Sequence, residues 1–271
     1  MIYQKINLDL KGQAPDCAVQ TYFHENSAEI EENRKRPLIL VCAGGGMTYR
    51  SFREEEPVAV KLLSLGYHVA VLEYSCEPAA FPAQLLQAFA AIAYFRQHAD
   101  EYHINPDKIY VMGFSAGGHL AGQTGVFWHK PYYAGKLSLT PNEVRPNALI
   151  LCYAVLTAGE FTHEPTVKRY AGGELDVKRH TLSLEKQVSA DTPPTFLWGT
   201  VTDMAVPVEN TLLFSKALRA NKVPMELHLF GSGPHGLSLA SEETFPEDRM
   251  QPYYKDFAVW PDLMHAWLKR L

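Results

Sequence analysis

Short apolar runs, separated by polar or glycine- and proline-containing segments, recur along the whole chain. Residues 2–8 and 17–23 alternate between apolar and polar positions, which predicts an antiparallel pair of strands at a sheet edge. The later runs are mostly apolar throughout, as expected for strands buried on both faces. These runs cover residues 37–42, 68–72, 109–112, 147–153, 195–200 and 225–230.

Helical patterns lie between these runs. Leu85, Phe89 and Ile92 recur with helical spacing after Phe81-Pro82, and further helices are predicted over residues 208–221 and 257–271. Strands that alternate with helices predict a doubly wound, mostly parallel sheet with the antiparallel N-terminal strands at one edge.

The segment 156–190 is polar and carries only short helical signals. We interpret it as a small cap or lid inserted into a single domain that spans residues 1–271. The segment 124–146 contains Phe127, Trp128, Tyr132 and Tyr133 among glycine and proline, which suggests an aromatic loop.

Composition narrows the class of protein. A chain of 271 residues with 46% hydrophobic content can form one large core, and a net charge of -5 without a Lys/Arg cluster argues against nucleic acid as a partner. No apolar run reaches the roughly 18 residues of a membrane span, and the N-terminus lacks the apolar region of a signal peptide. The four cysteines show no CxxC spacing. These features predict a soluble cytoplasmic protein; its size allows a homodimer, although no residue pattern specifies one.

The segment 108–121 carries the strongest chemical signal. Gly113-Phe-Ser-Ala-Gly117 fits G-x-S-x-G and lies between an apolar strand and a small-residue helix. A strand-to-helix elbow holds a serine hydroxyl clear of the backbone, and the glycines leave room for the tight turn. Ser115 is therefore the candidate nucleophile.

A run of three glycines, Gly44 to Gly46, follows the buried strand 37–42. It is either a flexible turn or a loop whose N–H groups approach a substrate carbonyl. Together with the serine elbow, the second interpretation predicts an oxyanion hole formed by the N–H groups of Gly45, Gly46 and Ala116.

A serine nucleophile needs a base and an acid that orients the base. Asp203 and His235 follow the strands 195–200 and 225–230, and the order Ser115, Asp203, His235 is the one expected for this architecture. Among the rivals, Asp191 precedes its strand and Glu209 belongs to the next helix. His119 lies one helical turn beyond Ser115, which favours a packing or surface position.

No second site is defined by a sequence motif. Metal-binding patterns of the HxH, HxxxH or HxxEH type are absent, as are Rossmann and Walker glycine patterns, so neither a metal nor a cofactor is expected. Phe127, Trp128 and Tyr132 either wall a substrate pocket or pack in the ordinary way. His163, in the cap segment, either contacts substrate or lies on the surface.

These motifs together resemble the acetyl-esterase (esterase/lipase) group of α/β-hydrolases, related to hormone-sensitive-lipase-like and acetyl-xylan-type esterases. The resemblance covers the chain from about Pro37 onward. It is carried by the segments 43–46, 72–74, 81–82, 113–121, 200–207 and 233–236.

The resemblance implies an α/β-hydrolase fold and cofactor-free hydrolysis of short-chain esters, often acetyl groups on sugars or xylo-oligosaccharides. Ala43, Ala154 and Gly199 depart from residues common in related sequences, and none of them removes a triad member. The alternatives are a lipase or peptidase that uses the same triad, or a non-catalytic binding protein on this fold. The polar cap segment disfavours a lipase, and a peptidase of this architecture would need an additional large domain.

Overall fold

Eight strands form one sheet in the computed structural model, which describes residues 1–271. The strands are β1 (Ile2–Leu8), β2 (Cys17–Phe23), β3 (Arg36–Cys42), β4 (His68–Glu73), β5 (Ile104–Phe114), β6 (Ala148–Cys152), β7 (Thr195–Thr200) and β8 (Met225–Phe230). Their order in the sheet is β1-β2-β4-β3-β5-β6-β7-β8. The β1–β2 and β2–β4 pairs are antiparallel and all other pairs are parallel, which confirms the predicted sheet and its antiparallel N-terminal edge.

Nine α-helices connect or flank the strands. They are α1 (Glu56–Ser64), α2 (Ala83–Gln97), α3 (Ser115–Phe127), α4 (Pro131–Lys136), α5 (Pro141–Val144), α6 (Glu164–Ala171), α7 (Leu175–Leu182), α8 (Glu209–Ala220) and α9 (Trp260–Leu268). No helix is both long enough and apolar enough to cross a membrane.

The two faces of the sheet are covered by separate apolar cores. Along β3, Leu38, Leu40 and Cys42 belong to a core of 50 residues that includes side chains of α2, α3 and α8. Ile39 and Val41 point to the opposite face, where a core of 27 residues includes side chains of α1 and α9. Because alternate residues of a strand face opposite sides, a continuous apolar run fills both cores at once.

Three predicted elements differ clearly from the structure. The strand predicted over 109–112 is longer, since β5 covers Ile104–Phe114. The helix predicted from Phe81-Pro82 begins at Ala83, with Pro82 at its N-cap. The segment 124–146 is mostly helical rather than a loop: it holds the end of α3 together with α4 and α5. Pro131 and Pro141 stand in the first turns of α4 and α5, where proline is favoured because its missing N–H would have no partner there.

Candidate active site

Four strand ends bring the predicted site residues to one edge of the sheet. β3 leads into the glycine loop (Gly44–Gly46), and β5 ends directly before Ser115. Asp203 and His235 follow β7 and β8. Because these strands run parallel, their carboxyl ends share one edge, which is where open α/β sheets place their ligands.

Ser115 occupies a strained backbone position at the start of α3. Its φ is +52°, in the left-handed region that residues other than glycine seldom adopt. The turn closes tightly because a Cβ on Gly113 would lie 2.2 Å from the carbonyl oxygen of Gly117, and a Cβ on Gly117 would lie 2.1 Å from that of Cys42. The local geometry is therefore a nucleophile elbow.

The three predicted triad side chains form one series of hydrogen bonds. Ser115 Oγ lies 2.7 Å from His235 Nε2, and His235 Nδ1 lies 2.6 Å from Asp203 Oδ2. The side chain of Asp203 is only 2% exposed, whereas that of His235 is 23% exposed. The imidazole thus bridges a buried carboxylate and a serine hydroxyl while keeping access to solvent.

Backbone N–H groups fix the orientation of the Asp203 carboxyl. Its Oδ1 accepts hydrogen bonds of 2.9 Å from the N–H groups of Ala205 and Val206, which leaves Oδ2 for His235. Because a carboxylate only accepts, it holds His235 as the tautomer with its proton on Nδ1. His235 Nε2 is then free to accept the Ser115 proton.

The glycine loop approaches Ser115 at Gly44 and carries unpaired N–H groups at its next two residues. The N–H groups of Gly45 and Gly46 donate to no acceptor in the protein, although the Gly45 carbonyl accepts from Thr48. The N–H of Ala116 belongs to the first turn of α3, where no carbonyl lies one turn earlier. These three groups have the character of oxyanion donors.

Helix α6, from the connection between β6 and β7, packs over this loop. The Tyr170 hydroxyl donates to the Ala116 carbonyl at 3.0 Å, and Arg169 Nη1 donates to the Gly46 carbonyl at 3.3 Å. His163 Nδ1 lies 2.8 Å from Thr166 Oγ1 at the start of the helix. Burial lowers the pKa of His163, and the nearby imidazole of His235 lowers it further. The structure thus brings His163 to the neighbourhood of the triad.

The other predicted pocket residues lie elsewhere. Phe127 is fully buried at the far end of α3, about 18 Å along the helix from Ser115 at 1.5 Å per residue. Trp128 donates its indole N–H to the Asp191 carbonyl, and Tyr132 is 67% exposed beside Lys136. Phe127 and Trp128 are buried and Tyr132 lies on the surface, and none of the three forms a hydrogen bond or ring contact with Ser115, Asp203 or His235.

Two buried residues beside the site escaped the sequence prediction. Glu54 is 2% exposed and accepts a 2.7 Å hydrogen bond from the Gly44 N–H. Tyr153 donates its hydroxyl to Glu54 at 2.6 Å, and its ring meets the His235 ring edge-on at 5.2 Å. Glu54 lies in the run Arg53-Glu-Glu-Glu56, which resembles a solvated surface. Tyr153 follows β6 directly, and that strand-end position was a usable signal.

An open depression of about 560 Å³ borders His235. It is lined by residues of the two loops that carry Asp203 and His235, among them Thr202 and Ser232, and by Gln251 and Tyr253. No group of three or more His, Cys, Asp or Glu side chains is placed to hold a metal ion.

The sheet topology, the nucleophile elbow and the hydrogen-bonded Ser–His–Asp series define an α/β-hydrolase with a serine-hydrolase site. Comparison with known protein families narrows this class. The BD-FAE family model matches residues 27–218, which is more than two thirds of the chain. The chain therefore belongs to the BD-FAE family, an esterase family of α/β-hydrolases. The matched segment contains the glycine loop, Ser115 and Asp203 and ends before His235.

Individual relatives agree with this assignment. The chain is 36% identical over 221 residues to the endo-1,4-β-xylanase B of Butyrivibrio fibrisolvens, covering 78% of the chain and 34% of the xylanase. It is 39% identical, with a TM-score of 0.76, to an acetyl ester-xyloside bifunctional hydrolase from Caldicellulosiruptor lactoaceticus, covering 92% of the chain and 88% of that structure. A carboxylesterase from Lactobacillus plantarum gives a TM-score of 0.87 at 29% identity, covering 100% of the chain and 98% of that structure. The chain spans half or less of the length of the first curated relatives it matches, at 34%, 48% and 31%.

Proposed function

We propose that this chain hydrolyses short-chain carboxylic esters, in particular acetyl esters of sugars or xylo-oligosaccharides, through a covalent acyl-enzyme. The observation that carries the proposal is the unbroken series from Ser115 Oγ through His235 to Asp203. The glycine loop, which approaches Ser115 at Gly44 and carries free N–H groups, supports it further.

In the first step, Ser115 Oγ attacks the ester carbonyl carbon while His235 Nε2 takes the hydroxyl proton. Asp203 orients the imidazole and stabilises its positive form. The carbonyl oxygen becomes an oxyanion, which accepts hydrogen bonds from the N–H groups of Ala116 and of Gly45 or Gly46.

In the second step, the bond from the carbonyl carbon to the alcohol oxygen breaks, and His235 returns its proton to the leaving alcohol. The acyl group remains on Ser115. Water then attacks this acyl-enzyme, with His235 as the base, and the carboxylic acid leaves as Ser115 regains its proton. No cofactor takes part in these steps.

The substrate class rests on two supports. The leaving alcohol must lie beside His235, and the open depression there has room for a bulky alcohol among Thr202, Ser232, Gln251 and Tyr253. The similar structure from Caldicellulosiruptor lactoaceticus is described as an acetyl ester-xyloside bifunctional hydrolase. An O-acetylated sugar combines a small acyl group with such an alcohol.

The test is hydrolysis of p-nitrophenyl acetate, butyrate and octanoate, followed by acetylated xylo-oligosaccharides, by wild type and by Ser115→Ala. We expect kcat/KM to be highest for acetate and to fall at least about a thousandfold in Ser115→Ala, because the nucleophile is lost. Ser27→Ala is the matched control, since Ser27 is exposed and lies far from the site in sequence.

The outcomes separate the alternatives. A preference for octanoate would favour a lipase, and cleavage of a peptide panel in place of esters would favour a peptidase. Equal inertness of wild type and Ser115→Ala would favour a non-catalytic binding protein on this fold.

A further inference from the structure

Glu54 is a buried carboxyl that the hydrolytic steps above leave without a role. It is 2% exposed and has no basic partner within salt-bridge distance. Its two oxygens serve two different parts of the site, because Oε2 accepts from the Gly44 N–H and Oε1 accepts from the Tyr153 hydroxyl. Burying a carboxyl is costly, so its partners must compensate.

On one side, Glu54 fixes the start of the glycine loop. Gly44 donates its N–H to Glu54 at 2.7 Å, and its carbonyl accepts from the Ser51 N–H at 3.0 Å. A Cβ on Gly44 would lie 2.8 Å from Glu54 Oε2 and 3.0 Å from Ser115 Cβ, so the carboxyl, the loop and the serine are in close contact. Holding both polar groups of Gly44 sets the direction in which the next two N–H groups point.

On the other side, Glu54 reaches the loop that carries His235. The Tyr153 hydroxyl, which donates to Glu54, accepts a 2.9 Å hydrogen bond from the Ser238 N–H, three residues after His235. Ser238 is fixed further because its carbonyl accepts from the Trp260 indole at 2.8 Å. A single carboxyl thus links the glycine loop to the histidine loop.

The donors around Glu54 match its ionised form. A carboxylate accepts from the Gly44 N–H and the Tyr153 O–H, and the Tyr153 oxygen accepts from the Ser238 N–H, so every group is paired. In the protonated form, a proton on Glu54 Oε1 and the hydroxyl proton of Tyr153 would both lie between the same two oxygen atoms. Burial has the largest effect on the pKa of Glu54 and raises it overall, while the hydrogen bonds from Tyr153 and Gly44 and the charge of His235 oppose this rise.

We propose that Glu54 is a positioning residue that aligns the glycine loop with His235. Its negative charge also stabilises the imidazolium that His235 becomes when it takes the Ser115 proton. This inference rests on the proposed function. It assigns the site a second buried carboxylate besides Asp203, one that acts through Gly44 and Tyr153 and does not touch the substrate.

The charged and titratable groups around this pair are few. Those that face the imidazole of His235 are Asp203, His163, Tyr153 and Glu54. Arg53 lies beside both, because its guanidinium approaches Gly236 and its charge lowers the pKa of Glu54. Tyr74 and Cys152 also face Glu54, and burial raises the pKa of each, so both stay neutral near pH 7.

The experiment compares wild type, Glu54→Gln and Tyr153→Phe, with Glu56→Gln as the matched control at an exposed position two residues away. We expect Glu54→Gln to lower kcat about 10- to 100-fold with KM changed less than about threefold, since alignment acts on the transition state. Without the carboxylate, a lower pH is needed to protonate His235. The acid limb of the pH–kcat/KM profile should therefore move down by about half a unit or more.

NMR titration of histidine-labelled protein measures the pH at which the His235 imidazole is half protonated, without any substrate. In Glu54→Gln this midpoint should move in the same direction as the acid limb. Tyr153→Phe keeps both the ring and the Glu54 carboxylate, so it should lower kcat by a smaller factor without the shift of the acid limb; it tests the alignment link if Glu54→Gln fails to fold. Thermal unfolding of each variant identifies folded protein.

Two results in folded variants would overturn the inference. One is a kcat/KM within about threefold of wild type, and the other is a loss of activity in Glu54→Gln with an unchanged midpoint, which would indicate only a structural role. The proposed function fails separately, when wild type is inert or Ser115→Ala is as active as wild type. A normal Glu54→Gln beside an inactive Ser115→Ala overturns this inference alone.

Discussion

The groups on the two sides of Ser115 differ in kind: side chains lie on one side and backbone N–H groups on the other. On the histidine side, side chains act in series, with His235 2.7 Å from Ser115 Oγ and Asp203 2.6 Å from His235. On the glycine side, the free groups belong to the backbone of Gly45 and Gly46, and neighbouring side chains only hold that backbone in place.

This difference determines how each side can fail. A series of side chains is broken when any one member changes chemically, even if its shape is kept. A backbone donor has no side chain to remove, so it fails only when the groups that support it move or the local fold loosens. Substitutions on the histidine side should therefore affect rate, and those on the glycine side should affect alignment and stability.

The largest effect is expected for Asp203→Asn. The amide would donate to His235 Nδ1, which favours the tautomer that cannot accept the Ser115 proton, and kcat should fall about 10³- to 10⁴-fold. The free energy of unfolding should change far less, because the shape of the side chain is kept. Asp191→Asn, at an exposed acid before β7, is the control. A loss of less than about tenfold would contradict the assignment of Asp203 as the orienting acid.

A smaller effect, on stability rather than rate, is expected at His119, whose ring contacts α6, the helix that packs over the glycine loop. Its Nδ1–H donates to the Val155 carbonyl at 2.9 Å, and its ring packs on Tyr170 at 4.6 Å. Its Nε2 is buried without a partner, and burial lowers its pKa to about 4. The folded state therefore holds this imidazole neutral.

The sign of the pH dependence follows. The unfolded state takes up a proton below about pH 6.5, whereas the folded state resists until about pH 4, so stability present above pH 6.5 is lost as the pH falls. This loss amounts to about 2 to 3 kcal/mol between pH 7.5 and 4.5. Urea unfolding at both values should show that His119→Gln removes this part of the pH dependence, whereas His180→Gln, at an exposed histidine, does not. An unchanged pH dependence in His119→Gln would contradict the prediction.

The smallest effect is expected for Tyr132→Ala. The side chain is 67% exposed on α4 and contacts Lys136. Exposed substitutions of this kind change stability by less than about 0.5 kcal/mol, and kcat/KM for p-nitrophenyl acetate should stay within about twofold. A tenfold loss in a folded variant would show that the segment 124–146 reaches the substrate after all.

The strands and the triad were within reach of sequence reasoning because both have local signatures. Apolar runs bounded by turns marked β3 to β7, and each triad residue follows a strand end or an elbow motif. The helices of 124–146 could not be predicted in this way, because proline and glycine near aromatic residues suggest a loop. Whether Pro131 breaks a helix or begins one depends on where the preceding turn ends.

The role of Glu54 could not be predicted from the sequence, for a different reason. Three successive acids indicate a solvated surface. In the structure, the first of them, Glu54, ends the short 3₁₀ turn Phe52–Glu54 and is buried. The role proposed for Glu54 depends on its contacts with Gly44 and with Tyr153, which is 99 residues away in the sequence. Such a partnership exists only once β3 and β6 have been placed in the same sheet.

The position of each strand in the sheet also sets how firmly each reacting group is anchored. Ser115 follows β5, which lies in the middle of the sheet between β3 and β6, whereas His235 follows β8, an edge strand that pairs with β7 alone. Edge elements open locally at lower free energy than central ones. We therefore expect local opening at this edge to displace His235 while Ser115 keeps its position, so that activity is lost under milder conditions than those that unfold the sheet.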